Sequence, residues 1–544
     1  MKLKRTILGP VLVAGVAVLS GGWLLQHESA ASGGGVDPRI LDEVLSRVSR
    51  DYVDSHPQDE LYKMAVDGLL YELGDPHTNF MTADEYNDLR IQTSGEYGGL
   101  GIQIAPRNGW ITVVAPLPDT PAERAGMRAG DRIIEVEGAS TEGWTDDEAV
   151  KALRGPRGST VHIKVARPGL DASIPFDITR EAIHVRSVSS YMVEPTIGLM
   201  RLNMFAEGST DEMKAAVEKM RSQGMKSLIL DLRTNPGGLL DQGVSVSNLF
   251  LHPGLPIVET RGRDPRETEK FGSTKPAVLP EGMAIVVLVD EYTASAAEIV
   301  SGALQDHDRA LVVGTTTYGK GSVQSLFPLS GGNFLKMTTG RWYTPSGRSI
   351  QKDHKRPGDP TPAADTTTAL GPDGNPIAVA TDTTKRTAYR TDSGRIVYGG
   401  GGIVPDLTVM PDSFTIAERN FSTAASRAAG KFNDATFKYA VDYVRTHPSL
   451  AQDFTVSDAM LEEFFGRLKD AGVPVTREQY AGASRVIRQR LGFEIAYSKW
   501  GSSVASQRSN VDDAVVRKAV DLLKSAPSPQ ALFRAAEAQK QALR

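Results

Sequence analysis

A serine and a glycine-flanked lysine are the residue types in this chain that could form a nucleophile and its base. Ser295 follows the apolar run Ala284–Asp290, and from Ala294 onward the apolar residues take helical spacing. The serine therefore lies at a predicted strand-to-helix turn, where backbone N–H groups not used by the helix can bind a developing oxyanion. Lys320 stands between two glycines, which would let it approach the serine closely, and Gln324 closes the same motif, Gly-Lys-Gly-Ser-Val-Gln. These residue types fit acyl transfer by a serine nucleophile.

The base for such a serine is restricted by the rest of the sequence. None of the nine histidines lies in a triad motif, and no Gly-x-Ser-x-Gly elbow surrounds Ser295. A lysine base must be neutral, so the pKa of Lys320 must fall by about 3 units, which is about 4 kcal/mol of differential solvation that burial can supply. Gln324 could orient the amine by a hydrogen bond. The competing interpretation is a surface serine and a solvated lysine with no relation to each other.

A second strand-to-turn motif lies upstream. The apolar run Ser227–Leu232 leads into Arg-Thr-Asn-Pro-Gly-Gly at 233–238, and the segment Leu239–Leu251 has helical spacing. Two glycines after a parallel-type strand present free N–H groups at the carboxyl end of the sheet, where open α/β sheets bind ligands. An ordinary tight turn would have the same sequence, so this motif alone leaves the two readings open.

Five motifs together resemble the carboxyl-terminal processing, or tail-specific, serine proteases. Their order and spacing match over about two hundred residues, a span far longer than any single short motif. They are Asp231-Leu-Arg-Thr-Asn-Pro-Gly-Gly238, Thr293-Ala-Ser-Ala-Ala-Glu298, Tyr318-Gly-Lys-Gly-Ser-Val-Gln324, Thr338-Thr-Gly-Arg-Trp-Tyr-Thr-Pro-Ser-Gly-Arg-Ser-Ile-Gln351 and Gly402-Ile-Val-Pro-Asp406.

The resemblance implies roles for individual residues. Ser295 would be the nucleophile, Lys320 the general base and Gln324 the residue that positions it. The oxyanion hole would use the backbone N–H of Ala296 and that of a glycine in the Asn-Pro-Gly-Gly turn, with Gly237 favoured. Thr293 stands where the family commonly has serine, and it keeps the hydroxyl. No metal or cofactor is implied.

The fold class that follows is an α/β multidomain protein. The resemblance implies a ClpP/crotonase-like, parallel-rich protease core over 181–411, with an inserted PDZ domain over 93–180. Predicted strands at 197–204, 227–232, 284–290 and 310–313 alternate with helices at 210–223, 239–251 and 294–304, as in a sheet covered by helices. Residues 352–391, rich in Thr, Pro, Gly, Asp and Lys, are predicted to be a mobile surface insertion.

The predicted PDZ domain begins at Glu96 with short strands and glycine turns. Its order of strands and helices resembles PDZ domains, with a Gly-Leu-Gly-Ile loop formed by Gly99, Leu100, Gly101 and Ile102. The N–H groups of such a loop can bind the terminal carboxylate of a peptide that adds a strand beside it. Arg128 resembles the position that some family members use to sense substrate.

Helical regions flank these two domains. Residues 37–92 have helical spacing, as do residues 412–544, which could scaffold the core, dimerise or bind an adaptor. The amino terminus has a basic start, Met1–Arg5, and an apolar run, Ile7–Leu25, that predict a signal peptide or signal anchor over 1–31. Cleavage after Ala31 and retention as a membrane tether both fit this pattern, which places the protein in the periplasm or on the outer face of a bacterial cytoplasmic membrane.

Composition excludes several functions. The chain has 544 residues, which suggests about three or four domains, and its net charge of −5 argues against a nucleic-acid partner. It has no cysteine, which excludes disulfides, a thiol nucleophile and cysteine-ligated metal. The sequence thus predicts an exported serine endopeptidase that binds carboxyl-terminal tails and cuts them by Ser-Lys chemistry. A non-catalytic PDZ scaffold is the alternative, whereas a trypsin-like protease is excluded by domain order and the missing Gly-Asp-Ser-Gly motif.

Overall fold

A computed structural model describes residues 37, 39–352, 368–370, 376–378, 383 and 386–542. The predicted signal peptide or anchor at 1–31 lies outside the described residues, as does most of the predicted insertion at 352–391. The chain forms two compact units that divide between Phe80 and Met81. No helix in the described part is long and apolar enough to cross a membrane.

The smaller unit contains two helices, Arg39–Asp51 and Gln58–Glu72. Their apolar residues have the helical spacing that predicted them, and Leu45, Leu61 and Leu70 are buried. The helical prediction for this segment is confirmed. Strand Asn79–Met81 and helix Ala83–Ser94 follow, and the latter belongs to the larger unit.

The predicted PDZ domain contains a six-stranded antiparallel sheet and two short helices. Strands Glu96–Gly99 and Glu181–His184 pair with each other, so the chain enters and leaves this region side by side. The edge strand of its sheet, Ile102–Arg107, pairs on one side only. The remaining elements are strands Trp110–Pro116, Arg132–Val136, Ala139–Ser140, Thr160–Ala166 and Ile174–Thr179, and helices Pro121–Ala125 and Asp146–Leu153.

The central sheet of the predicted protease core has six strands and is parallel except for its first pair. In spatial order the strands are Val188–Glu194, Ile197–Leu202, Ser227–Asp231, Ala284–Val289, Leu311–Gly314 and Leu407–Thr408. The predicted parallel-rich sheet is therefore confirmed. Its carboxyl edge carries both predicted turns, because the Asn-Pro-Gly-Gly and Ser295 turns follow neighbouring strands.

Each face of the central sheet is covered by helices from a different part of the chain. Leu228 and Leu230 pack with the predicted core helices, which are Ser209–Ser222, Leu240–Asn248 and Ala296–Asp306. Ile229, which alternation turns to the other face, packs with the last two helices of the chain, Ala514–Ser525 and Pro529–Ala542. The sequence left three roles open for 412–544. The contacts of these two helices correspond to one of them, scaffolding of the core.

A second, antiparallel sheet carries the residues that follow Lys320. Strands Ser322–Pro328, Phe334–Tyr343, Pro256–Gly262 and Glu269–Gly272 pair in that order. Short 3-10 turns lie at Pro265–Glu267 and Ser330–Gly332. Within the described parts of the predicted insertion, strand Thr368–Leu370 pairs with Pro376–Ala378, and Ala388–Arg390 pairs with Ile396–Tyr398 beyond it.

The remaining carboxyl-terminal helices form a bundle with its own core. Phe421, Tyr439, Phe464, Tyr480 and Ile487 are among its buried residues. The helices are Ile416–Ser426, Ala429–Thr446, Asp458–Asp470, Arg477–Ala481, Ser484–Trp500 and Ser502–Val511. The predicted helical character of this region is confirmed.

Candidate active site

Ser295 occupies a strained turn at the start of a buried helix. It stands directly before helix Ala296–Asp306, with φ 55° and ψ −117°, a backbone conformation that residues other than glycine rarely adopt. Such a conformation costs of order 1–3 kcal/mol and persists only where the surroundings impose it. The predicted strand-to-helix turn is therefore present, and its geometry is typical of an exposed nucleophile.

Hydrogen bonds from three directions hold this turn in place. The Thr293 hydroxyl donates to Leu232 O (2.9 Å) and accepts from the Asp290 N–H (2.9 Å). The Ala294 N–H donates to Asn235 O (2.9 Å), and the Ser295 N–H donates to Glu298 Oε2 (2.8 Å). Thr293 thus uses the hydroxyl that it shares with the serine common in the family.

The Asn-Pro-Gly-Gly turn lies directly against the serine. A Cβ added to Gly237 would stand 2.7 Å from Ser295 Cβ, 2.8 Å from Ala294 O and 3.0 Å from Ala296 N. Gly237 also has φ +95°, so both its conformation and its surroundings require glycine. The structure therefore brings together Ser295, Ala296 and Gly237, as the sequence predicted.

The N–H groups of this turn are distributed differently from the prediction. Asn235 is fully buried, and its side chain donates to Leu202 O (2.7 Å) while accepting from the Gly237 N–H (2.8 Å). The Gly237 N–H is thus already engaged, whereas those of Gly238 and Ala296 have no acceptor among the described residues. Hydrogen bonding by the Asn235 side chain, which the sequence pattern does not reveal, is the physical reason for the difference.

The Lys320 loop is attached to the serine turn through one buried carboxylate. Glu298 is fully buried, and Oε2 accepts from the N–H groups of both Ser295 (2.8 Å) and Lys320 (2.9 Å). Its Oε1 accepts from Thr317 Oγ1 (2.5 Å) and the Gly319 N–H (2.7 Å). Burial raises the pKa of Glu298 to about 7, although the four hydrogen bonds oppose that shift. The two motifs are therefore neighbours in space.

The glycines beside Lys320 serve a different purpose from the predicted one. The sequence suggested that they let the lysine approach the serine closely. A Cβ on Gly319 would instead lie 2.9 Å from Gly402 N, and one on Gly321 would lie 2.9 Å from Gln351 N. They make room for the backbone of two other motifs, so the Thr338–Gln351 and Gly402–Asp406 segments pack against the lysine loop.

Gln324 lies in the strand that follows the lysine loop. Its carboxamide donates to Ser322 Oγ (2.8 Å) and Thr338 Oγ1 (3.4 Å). The Lys320 carbonyl accepts from Trp342 Nε1 (3.1 Å) in the adjacent strand. These bonds fix the backbone around Lys320, and positioning of the lysine amine by Gln324 stays a prediction.

A buried ion pair supports the far end of the helix that Ser295 begins. Arg348 and Asp306 are both almost fully buried, and Arg348 Nη2 lies 2.6 Å from Asp306 Oδ1. Arg348 also donates to Gln305 Oε1 (2.7 Å). The pair joins the Thr338–Gln351 motif to the helix that Ser295 begins.

The predicted carboxylate-binding loop has the expected backbone. Leu100 O accepts from the Ala122 N–H (3.0 Å), and Gly101 O accepts from the Leu117 N–H (2.8 Å). Both carbonyls are thus engaged, whereas the N–H groups of Leu100 and Gly101 have no acceptor within the described chain. Gly101 has φ +75°, and the free edge of strand Ile102–Arg107 lies beside this loop.

A cavity of about 640 Å³ lies next to the strand that leads into this loop. Arg90, Lys151 and Arg154 line it, together with the opposing charge of Glu96. The Gly155 N–H donates to Gly98 O (3.2 Å), which places the cavity between the carboxyl-terminal end of helix Asp146–Leu153 and strand Glu96–Gly99. Lys151 pairs with Asp84 (3.2 Å) and Arg154 pairs with Asp88 (3.5 Å), so two of the three positive charges in this cavity are already balanced.

Arg128 lies elsewhere in this region, and its side chain is exposed. Its N–H donates to Asp131 Oδ2 (2.8 Å), and Asp131 is held by Arg167. Nothing in this geometry tests a sensor role. Among the residues that the structure describes, no group of three or more side chains could hold a metal ion.

Sequence reasoning missed Glu298 and Asn235. Both were within the quoted motifs, but neither residue type by itself indicates a nucleophile or a base. A carboxylate in an otherwise apolar helix, Ala-Ala-Glu-Ile-Val at 296–300, was the available signal for Glu298.

Two family models match the chain. A model of peptidase family S41 matches residues 196–358, and a PDZ-domain model matches residues 112–167. The first match covers four of the six strands of the central sheet with both turns, and the second covers part of the antiparallel sheet but not the loop at 99–102.

Curated relatives extend over more of the chain. A carboxy-terminal-processing protease of Bartonella bacilliformis is 43% identical over 313 residues, covering 57% of this chain and 71% of the relative. A probable CtpA-like serine protease of Staphylococcus epidermidis is 34% identical over 356 residues, covering 64% and 71%. Among solved structures, a photosystem II D1 C-terminal processing protease is 28% identical with a TM-score of 0.34, covering 58% of this chain and 91% of that one.

Proposed function

The chain belongs to the carboxy-terminal-processing serine proteases of peptidase family S41, which carry a PDZ domain, and we propose that it cuts protein tails by a Ser-Lys mechanism. The observation that carries the proposal is the shared hydrogen bonding of the two motifs. The Ser295 turn, apposed to Gly237, and the Lys320 loop meet at one buried carboxylate.

In the proposed reaction, Ser295 Oγ attacks the scissile carbonyl carbon and gives its proton to the Lys320 amine. The carbonyl oxygen becomes an oxyanion that accepts from the Ala296 N–H and from an N–H of the Asn-Pro-Gly-Gly turn. Because the Gly237 N–H is donated to Asn235, the Gly238 N–H supplies the second bond in this arrangement. Collapse breaks the C–N bond, the lysine proton passes to the leaving amine, and water then hydrolyses the acyl-enzyme.

Single substitutions test this mechanism. Ser295→Ala and Lys320→Ala should each abolish cleavage of an unfolded protein with a free tail, while circular dichroism and the thermal midpoint stay as in the wild type. A serine-directed phosphonate should label the wild type and not Ser295→Ala. Cleavage by either variant at the wild-type rate would exclude the Ser-Lys assignment, and a wild type that neither cleaves nor labels would favour the non-catalytic scaffold.

Tail recognition is assigned to the PDZ region. The N–H groups of Leu100 and Gly101 would bind the terminal carboxylate, and the peptide would add a strand beside Ile102–Arg107. The free edge of that strand, and the lack of an acceptor for either N–H group within the described chain, support this direction of binding. A peptide with a free carboxylate should bind at least about tenfold more tightly than its carboxamide, which corresponds to about 1.4 kcal/mol. Equal affinities in calorimetry would remove the carboxylate from the recognition scheme.

Export is proposed from residues 1–31 alone. The basic start followed by an apolar run supports a location in the periplasm or on the outer face of the cytoplasmic membrane. Fractionation of bacteria that express the full chain should place it in one of these compartments, and mass spectrometry of its amino terminus should decide between cleavage after Ala31 and retention. Recovery of the intact chain in the cytoplasm would contradict export.

A further inference from the structure

Glu298 receives more hydrogen bonds than a helix-capping carboxylate needs. Its Oε2 accepts from the Ser295 and Lys320 N–H groups, and its Oε1 accepts from Thr317 Oγ1 and the Gly319 N–H. A conventional cap satisfies the first turn of its own helix. Three of these four donors lie instead in the lysine loop, so the carboxylate joins two separate segments.

Ser295 and Lys320 donate to the same oxygen atom of Glu298. The distances are 2.8 Å and 2.9 Å, so one atom constrains both backbones. A serine in a strained conformation needs such a constraint, because its preferred backbone angles would move the hydroxyl. Reaction between two groups depends steeply on their separation, and a misplacement of about 1 Å can cost about 100-fold in rate.

Thr317 extends this network to a third motif. Its hydroxyl donates to Glu298 and accepts from the Ile403 N–H (2.7 Å), while the Thr317 N–H donates to Ile403 O (3.1 Å). Gly402 lies so close that an added Cβ would stand 2.2 Å from Thr317 O. The backbone at 402–403 is therefore connected to the serine turn through one hydroxyl and one carboxylate.

We propose that Glu298 is a positioning residue that sets the separation of Ser295 from Lys320, and that Thr317 holds its carboxylate in register with the segment 402–403. The inference rests on the proposed function of the serine and the lysine. It assigns to Glu298 no contact with substrate and no proton transfer. Its effect is on how often the nucleophile and the base are aligned, which appears in kcat and not in KM.

The distinguishing substitutions change hydrogen bonding and little else. In Glu298→Gln one oxygen becomes an NH₂ group that faces N–H or O–H donors, so at least one bridge is lost. Thr317→Val keeps the shape and removes the hydroxyl, whereas Thr317→Ser keeps the hydroxyl. Glu418→Gln is the matched control, since Glu418 is also buried at a helix start but lies in the carboxyl-terminal bundle, where it accepts from Thr415 and Arg485.

The experiment measures kcat and KM on an unfolded protein substrate, with thermal midpoints for every variant. We expect kcat to fall about 100-fold in Glu298→Gln and in Thr317→Val, with KM within about threefold of the wild type. Thr317→Ser and Glu418→Gln should keep kcat within about threefold. If Glu298→Gln fails to fold, the contrast between valine and serine at Thr317 carries the test.

Three outcomes overturn the inference. They are a wild-type kcat in Glu298→Gln, equal losses in Thr317→Ser and Thr317→Val, and a loss in Glu418→Gln as large as that in Glu298→Gln. Ser295→Ala separates this failure from that of the proposed function. An inactive Ser295→Ala beside a fully active Glu298→Gln removes only the positioning role, whereas an active Ser295→Ala removes the mechanism itself.

Discussion

Replacement of Gly237 by alanine should disable the site through a single methyl group. The new Cβ would stand 2.7 Å from Ser295 Cβ and 2.8 Å from Ala294 O, closer than carbon atoms in proteins approach without displacement. An alanine at φ +95° costs about 1–2 kcal/mol, and a methyl group forced into a filled contact costs about 1–3 kcal/mol more. The free energy of unfolding should therefore fall by about 2–5 kcal/mol.

The effect on activity should exceed the effect on folding. Relief of the contact must move the Ser295 backbone or the glycine turn, and a shift of about 1 Å should lower kcat about 100-fold. Gly254→Ala is the matched control, because Gly254 also has a positive φ, +92°, but is exposed, and an added Cβ would meet nothing within 4 Å. It should lose only the conformational part, about 1–2 kcal/mol, and keep wild-type kcat.

The assay combines urea unfolding followed by tryptophan fluorescence with steady-state cleavage of an unfolded substrate. Both variants are measured at a temperature where each is fully folded, so that differences in kcat report the site. If Gly237→Ala matches Gly254→Ala in unfolding free energy and kcat, the close packing of the glycine turn on the serine does not limit the enzyme, and the steric argument is refuted.

Three further predictions concern stability. Since the folded pKa of Glu298 is raised from 4.5 to about 7, the folded state binds this proton more tightly. Stability should therefore fall by up to about 3 kcal/mol as pH rises from about 4.5 to 7, and a slope unchanged in Glu298→Gln would contradict this. Arg348→Met should cost about 3–5 kcal/mol in urea unfolding because Asp306 is left buried and unpaired, and Asp306→Asn in the same chain should restore part of that loss. A chain ending at Asp512 should not give a soluble protein that unfolds cooperatively, because the central-sheet face around Ile229 is uncovered. A single soluble species in gel filtration that unfolds cooperatively in calorimetry would contradict this prediction.

The elements around the site were predictable because their sequences are unambiguous. Short apolar runs such as Ser227–Leu232 and Ala284–Asp290 suit strands buried on both faces, and each ends in a turn motif. The strands formed at Ser227–Asp231 and Ala284–Val289, within one residue of the expected ends. Adjacent parallel strands then bring their carboxyl ends together, so the meeting of the two turns followed from the order of elements.

Contacts between distant segments were not predictable in the same way. Residues 412–544 were predicted to be helical and one of their possible roles was to scaffold the core, but alternation within strands cannot say which helix covers which face. Local hydrogen bonding was equally hidden, since an Asn-Pro-Gly-Gly motif does not disclose that Asn235 accepts from Gly237. The glycines of the lysine loop were assigned by residue type to the lysine, while their actual neighbours come from motifs about 30 and 80 residues away.

The packing of the last two helices on the central sheet affects the order in which the protein can fold during synthesis. Arg233, which begins the glycine turn, pairs with Asp513 at 2.8 Å, directly before helix Ala514–Ser525. One face of the sheet therefore stays uncovered until the ribosome has made residues that come well after Ser295 and Lys320 in the sequence. During synthesis the growing chain contains its nucleophile and base for more than two hundred residues without a finished sheet to hold them. We therefore expect the proposed site to be assembled only after the last two helices have been made.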